Sequence, residues 1–374
     1  MQNHYTKEYG MTNISIPSRS RSEAIRVLKA EGYTDGLIES IDSNNESFAL
    51  RIWVVDNSGS MVIQDGHSLY KNSLDHVRTK KCSRWDEIVD TVKYHATLAA
   101  LLEAPTIFKL LNPTPDGLRE FSIATRGSEY IPEDLEKAKS IMKNIVPRGR
   151  TPLSERVQEI ASYIESRKDE LHSKGQKVSV VLATDGLPNT NGGQPTKAEK
   201  VAFKNSLRLL QGLPVWVVIR LCTDDEEVVE FYNNLDYELE MSLEVLDDYF
   251  AEALEVHEVN PWINYTLPIH RMREMGFHHK IFDLIDERQL TKDELPEFFR
   301  LLYGAGYFEG VPDPQLDWKT FQERIADVTT TQPTQFHPVK RELKPLISTT
   351  KLGRSYGKSG KLFLLAPLLG LAKQ

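Results

Sequence analysis

The chain has 374 residues, enough for one large domain with additions or for two domains, and its formal net charge is -8, from 46 Lys and Arg against 54 Asp and Glu. That balance gives no overall pull toward nucleic acid and suits a protein that binds a cation. Cys82 and Cys222 alone make no disulfide framework, and neither a secretory signal nor a run of about 18 apolar residues is visible, so an intracellular, cytoplasmic protein is the expectation.

Residues 1–20 are polar and read as an arm, followed by a helix over Ser22–Glu31 that Gly32 stops and a second short helix over Asp35–Ile41. The β-branched run Leu50–Val55 then breaks into Asp56-Asn57-Ser58-Gly59-Ser60-Met61. This pattern predicts a buried strand that delivers a polar loop at its carboxyl end, the edge of an open α/β sheet where ligands bind. Asp56, Ser58 and Ser60 alternate, so one carboxylate and two hydroxyls can turn toward a common point. Oxygen ligands of low total charge suit Mg²⁺ or Mn²⁺. Gly59 is expected to let the backbone turn tightly between the serines, and taken alone a short Asp/Ser/Gly loop after a strand is usually just a turn. Residues 62–84 form a basic insertion with Lys71, Arg78, Lys80, Lys81 and Arg84, either a solvated surface loop or a device that shapes access to the metal.

Beyond it, Trp85–Glu103 has a helical apolar stripe on which His95 reads as a packing residue. Strands over Thr106–Leu111 and Arg119–Ala124 flank an Asn-Pro-Thr-Pro-Asp-Gly turn, and Pro132 opens a helix that runs to Ile145. Thr151 precedes one long helix over Leu153–Lys174, and the apolar strand Val178–Thr184 ends in Asp185. A helix over Lys197–Leu210, a strand over Val215–Leu221, a helix over Asp225–Asn233, an edge strand over Leu239–Leu246 and a helix over Asp247–His257 follow. This alternation predicts a doubly wound, mostly parallel sheet flanked by helices, with Asp56, Thr151 and Asp185 on one edge.

From 261 the pattern changes to short helices over Ile269–Met275, Ile281–Glu287 and Asp293–Tyr303. Asp283–Glu294 lacks the glycine and the alternating acidic ligands of a calcium-binding EF-hand loop. The expected division is an N-terminal arm with short helices over 1–48, an α/β domain over 49–260, a helical extension over 261–330, and a flexible tail over 331–374. In that tail Lys340, Arg341, Lys344, Lys351, Arg354, Lys358 and Lys361 precede the apolar stretch Leu362–Ala372.

The Asp-x-Ser-x-Ser loop, the separate Thr and the separate Asp make residues 49–260 resemble the von Willebrand factor A domain, whose metal-ion-dependent adhesion site is built from such a set. The resemblance implies a Rossmann-like fold and a site formed by Asp56, Ser58, Ser60, Thr151 and Asp185 around Mg²⁺ or Mn²⁺. It further implies that an Asp or Glu carboxylate of a partner protein fills the open coordination position, with no bond broken. Catalysis finds little support in the residues. The first loop is neither Asp-x-Asp, as an aspartyl phosphatase needs, nor Gly-x-Ser-x-Gly, and no Walker or Gly-x-Gly-x-x-Gly motif occurs. The expectation is therefore an intracellular non-enzymatic protein that recognises an acidic partner through its metal. The alternative is a peripheral membrane adaptor whose basic and apolar tail lies on an anionic membrane.

Overall fold

A computed structural model describes residues 7–11, 20–74, 76–190, 195–223 and 225–357. The first elements are a short strand β1 (Lys7–Glu8), helix α1 (Arg21–Ala30), capped by the Ser20 hydroxyl on the Glu23 amide, and helix α2 (Asp35–Ser47), which is longer than its sequence suggested. β2 (Phe48–Val55) leads into the Asp56 loop. The basic insertion is regular structure. β3 (Gly66–Lys71) and β4 (Val77–Cys82) form an antiparallel hairpin on whose edge β1 pairs.

The main domain continues with α3 (Arg84–Leu101), β5 (Thr106–Leu110), β6 (Glu120–Ile123) and α4 (Ile131–Asn144). Where one long helix was expected after Thr151 there are two, α5 (Leu153–Ser166) and α6 (Lys168–Ser173), separated at Arg167 by a residue with φ -114 and ψ 5. β7 (Lys177–Thr184), α7 (Lys197–Arg208), β8 (Val215–Leu221), α8 (Glu226–Glu238), β9 (Leu243–Leu246) and α9 (Tyr249–Val259) complete it. Reciprocal capping boxes, Ser83 with Asp86 and Thr196 with Glu199, start α3 and α7.

The six-stranded sheet has the order β6-β5-β2-β7-β8-β9, parallel throughout except for β6, which runs antiparallel to β5. Counted within the sheet the order is 3-2-1-4-5-6, so it reverses between β2 and β7. At such a switch point the loops after the two central strands diverge to opposite faces and leave a crevice between them. Both faces are covered, which is why the strands read as continuous apolar runs. Leu50, Ile52 and Val54 alternate onto one face with Val157 and Ile160 of α5 and Phe203 of α7, while Trp53 and Val55 pack on the other with Ile88 and Val92 of α3 and Leu135 of α4. Each such fully buried apolar side chain stabilises the fold by about 1.5–3 kcal/mol.

The C-terminal part consists of α10 (Leu267–Glu274), α11 (Lys280–Glu287), α12 (Leu295–Tyr303), α13 (Trp318–Thr331), a hairpin of β10 (Gln335–His337) and β11 (Glu342–Lys344), and α14 (Thr349–Tyr356). It is not independent of the N-terminus. Leu28, Leu37 and Ile41 share one core with Trp262, Phe298, Phe299, Ile325 and Leu352, and this core also takes in Tyr94 and Leu98 of α3. Gly36 of α2 is part of that contact. A Cβ there would meet the Gly304 amide nitrogen at 2.4 Å, so only glycine lets α2 lie backbone to backbone on the end of α12.

A buried charged network joins α10 to the sheet. The Glu274 carboxylate, fully buried, takes Arg271 Nη1 at 2.7 Å, His95 Nε2 at 2.9 Å and Arg220 Nε at 3.3 Å, while Arg220 also pairs with Glu87. Burial works against its charge, yet Arg271, His270 and His95 hold the carboxyl well below the ordinary range.

The flexible tail expected from residue 331 is corrected up to residue 356. Phe336, Leu346, Ile347, Leu352 and Tyr356 are all buried, and their spacing turns them into the core although Pro, Thr and Lys dominate the composition around them. Lys358, Lys361 and the apolar stretch Leu362–Ala372 lie outside the described residues. Among the described residues no helix is long and apolar enough to cross a membrane.

Candidate metal centre

Asp56 and Asp185 follow directly on β2 and β7, the two central neighbours, so the sheet alone brings their backbones together at the switch point. The Asp56 amide donates to the Ala183 carbonyl at 2.9 Å, extending the ladder by one residue. Asp56 Oδ1 then accepts the Ser58 amide at 2.8 Å, an Asx turn that swings the chain out of strand geometry, and Oδ2 accepts the Thr184 hydroxyl at 2.7 Å. Ser58 Oγ and Ser60 Oγ are 3.1 Å apart, and Ser60 Oγ donates to Asp185 Oδ1 at 2.8 Å. Asp56, Ser58, Ser60 and Asp185 are thus joined by hydrogen bonds, Asp56 through the Ser58 amide and the other three through their side-chain oxygens.

Thr151 is held separately. It makes a two-way backbone bridge with Asn189, each N–H to carbonyl distance being 3.0 Å, in the loop that follows Asp185. The threonine is buried beside that loop but takes no part in the hydrogen bonds that link the other four residues.

Three loops are stitched together around the cluster by two side-chain amides. Asn57 Oδ1 accepts the Asn112 amide at 2.8 Å and its Nδ2 donates to the Asn112 carbonyl at 2.9 Å, imitating a strand pair. Asn112 Nδ2 in turn donates to the Arg150 carbonyl at 2.7 Å. The Gly59 amide donates to the Gly149 carbonyl at 3.2 Å, which fixes the Thr151 loop against the Asp56 loop. The glycine that geometry demands is Gly149, not Gly59. Gly149 has φ +93 and a Cβ would stand 2.5 Å from Asn112 Oδ1, whereas a Cβ on Gly59 would meet only the Gly149 carbonyl at 3.7 Å.

Electrostatically the cluster is short of positive charge. Burial, with the Asp185 carboxylate next, pushes the Asp56 carboxyl up to about 7 against the hydrogen bonds from Thr184 and Ser58. Burial also raises Asp185, against Ser60 and Arg84. Two desolvated carboxyls that resist ionising, lined by hydroxyls and lying at a sheet edge, fit a hard divalent cation, which would stabilise both anions at once.

Arg84, Asp65 and Thr184 belong to the site and were not singled out from the sequence. Arg84 Nη1 donates to Asp185 Oδ2 at 3.0 Å, while its Nε and Nη2 donate to Asp65 at 2.7 and 2.6 Å. Only the basic composition of residues 62–84 hinted at it. A second acidic group, Glu252, Glu255 and Asp286, has carboxylate oxygens within 4.8 Å of one another and could also hold an ion. Arg273 Nη1 already sits there, 2.6 Å from Glu252 and 2.8 Å from Asp286.

The chain matches no protein-family profile and no curated protein by sequence. Among solved structures it is similar to a mutant of the PilB minor pilin from Streptococcus sanguinis, at 14% identity and a TM-score of 0.32, over 53% of this chain and 57% of the pilin chain. The chain therefore spans little more than half the length of that structure, and a likeness so slight carries no argument about activity.

Proposed function

We propose that this chain is a von Willebrand factor A-like protein that binds Mg²⁺ or Mn²⁺ through Asp56, Ser58, Ser60, Thr151 and Asp185 and captures an acidic side chain of another protein. The observation that carries the reading is the hydrogen-bonded convergence of Asp56, Ser58, Ser60 and Asp185 on the switch point of a 3-2-1-4-5-6 sheet. Bound there, the cation would supply an electron-poor centre that draws an outside carboxylate. The residues of the chain do the rest. The Asx turn at Asp56 and the Thr184 hydroxyl fix the direction of one carboxylate, and the Asn57–Asn112 pair holds the loop that presents Ser58 and Ser60. In this reading the site recognises a carboxylate through its cation and no bond is broken.

The test is calorimetric titration of Mg²⁺ and Mn²⁺ into the full chain and into Asp56→Ala. Binding in the wild type that vanishes in the variant is the expected outcome. Equal binding by both proteins would refute the assignment.

A further inference from the structure

Arg84 is the first residue of α3, locked in place by the Ser83–Asp86 capping box one residue earlier and by its own amide on the Ile63 carbonyl at 3.0 Å. Its guanidinium is divided between two carboxylates of opposite character. Asp65, whose side chain is 43% exposed, takes two of the donors side by side. Asp185, whose side chain is fully buried, takes the third on Oδ2, while its Oδ1 is occupied by Ser60. One of the two buried acids of the cluster is thus already paired with a cation that the chain itself provides, and that cation has an exposed second carboxylate to which it can retire.

Resting on the metal reading above, we infer that Arg84 is a built-in competitor for the metal position. It holds Asp185 in the ion-free protein and yields it when a divalent cation binds. A guanidinium and a divalent ion on the same buried carboxylate repel each other across a few ångströms of poorly screening protein, so both cannot keep full contact with it. Asp65 makes the exchange easy, because Arg84 keeps its bidentate partner when it leaves Asp185. Arg84 thereby sets the affinity of the site, and ion binding is coupled to movement of the guanidinium that leads α3.

The experiment is calorimetric titration of Mg²⁺ into the wild type, Arg84→Gln and Asp65→Asn. Competition makes the two substitutions move in opposite directions. Arg84→Gln binds Mg²⁺ at least about tenfold more tightly, because the rival cation is gone. Asp65→Asn binds more weakly, because the guanidinium then falls wholly to Asp185. A prop that merely positions Asp185 would weaken binding in both variants, and that result, or no change in either, overturns the inference. In the wild type, ¹⁵N NMR of the Arg84 side chain reads the same event without a substitution. Saturation with Mg²⁺ shifts its guanidinium resonances, and an unmoved signal at saturation overturns the inference even if Arg84→Gln fails to fold. Absence of binding in the wild type and Arg84→Gln alike is a different failure, which overturns the metal reading itself and the competition with it.

Discussion

Asp56→Asn is expected to stabilise the metal-free protein while removing its response to divalent cations. The carboxyl is fully buried and pushed up to about 7 from an ordinary 3.8 by burial and by Asp185. Between about pH 4 and 7 the folded state holds a proton that the unfolded chain has released, so this group lowers stability as pH rises through that window and costs a constant amount above it. A displacement of about three pKa units corresponds to about 4 kcal/mol at most, and because Asp185 shares the burden about 2–4 kcal/mol is the fair range. Asn keeps the Oδ1 acceptor for the Ser58 amide and can donate from Nδ2 to the Thr184 hydroxyl, so the turn survives. At about 2.1 cal/mol/K of unfolding entropy per residue, a chain of 374 residues gains about 3–5 °C in melting temperature. Calorimetric melts in EDTA across pH 4 to 8, with and without Mg²⁺, check this. The advantage of the variant over the wild type should grow from near zero at pH 4 to a plateau above pH 7, and added Mg²⁺ should raise only the wild type. A variant that melts at or below the wild type at pH 8, or that gains as much from Mg²⁺, refutes the reasoning.

Glu274→Ala should cost about 3–5 kcal/mol, because it leaves Arg220 and Arg271 buried without their shared carboxylate, and urea unfolding that shows a loss under about 1 kcal/mol would contradict it. Burial pushes His270 down to about 4, so as pH falls from about 6.5 toward 4 the unfolded chain gains a proton that the folded chain refuses and stability drops. His270→Gln should flatten that acid limb, and an unchanged limb assigns the loss to other groups. Truncation after Thr331 should lower the melting temperature by more than about 10 °C, since it strips Phe336, Leu346, Ile347, Leu352 and Tyr356 from the core at about 1.5–3 kcal/mol each. A truncated chain that melts with the full one would mean that these contacts add nothing.

The parallel sheet was legible because its strands are short apolar runs bounded by turn residues, and the cluster was legible because Asp56 and Asp185 are the first polar residues after two of them. Contacts between distant residues left no such trace. Arg84 meets Asp185 across 101 positions, and a basic composition says nothing about which carboxylate an arginine will find. The hairpin in residues 66–82 was hidden for a related reason. Its strands carry Lys71 and Lys81 on one face and Arg78 and Lys80 on the other, so they lack the apolar alternation by which strands are recognised, and their regularity comes from cross-strand pairing and from β1. Gly149 rather than Gly59 is the conformationally special glycine because the constraint comes from Asn112, a residue of another loop. Residues 331–356 were misread as a flexible tail where a few apolar residues, among them Leu352 and Tyr356, sit in polar surroundings. Composition averages them away, while packing depends on where each one points.

The central claim is that a divalent ion is held at the carboxyl ends of β2 and β7. Anomalous diffraction from crystals of the full chain equilibrated with Mn²⁺ tests it most directly. The account expects a manganese peak in contact with Asp56, Ser58, Ser60 and Asp185, with the Arg84 guanidinium withdrawn toward Asp65. Density confined to Glu252, Glu255 and Asp286, or no peak with Arg84 still on Asp185, would contradict it.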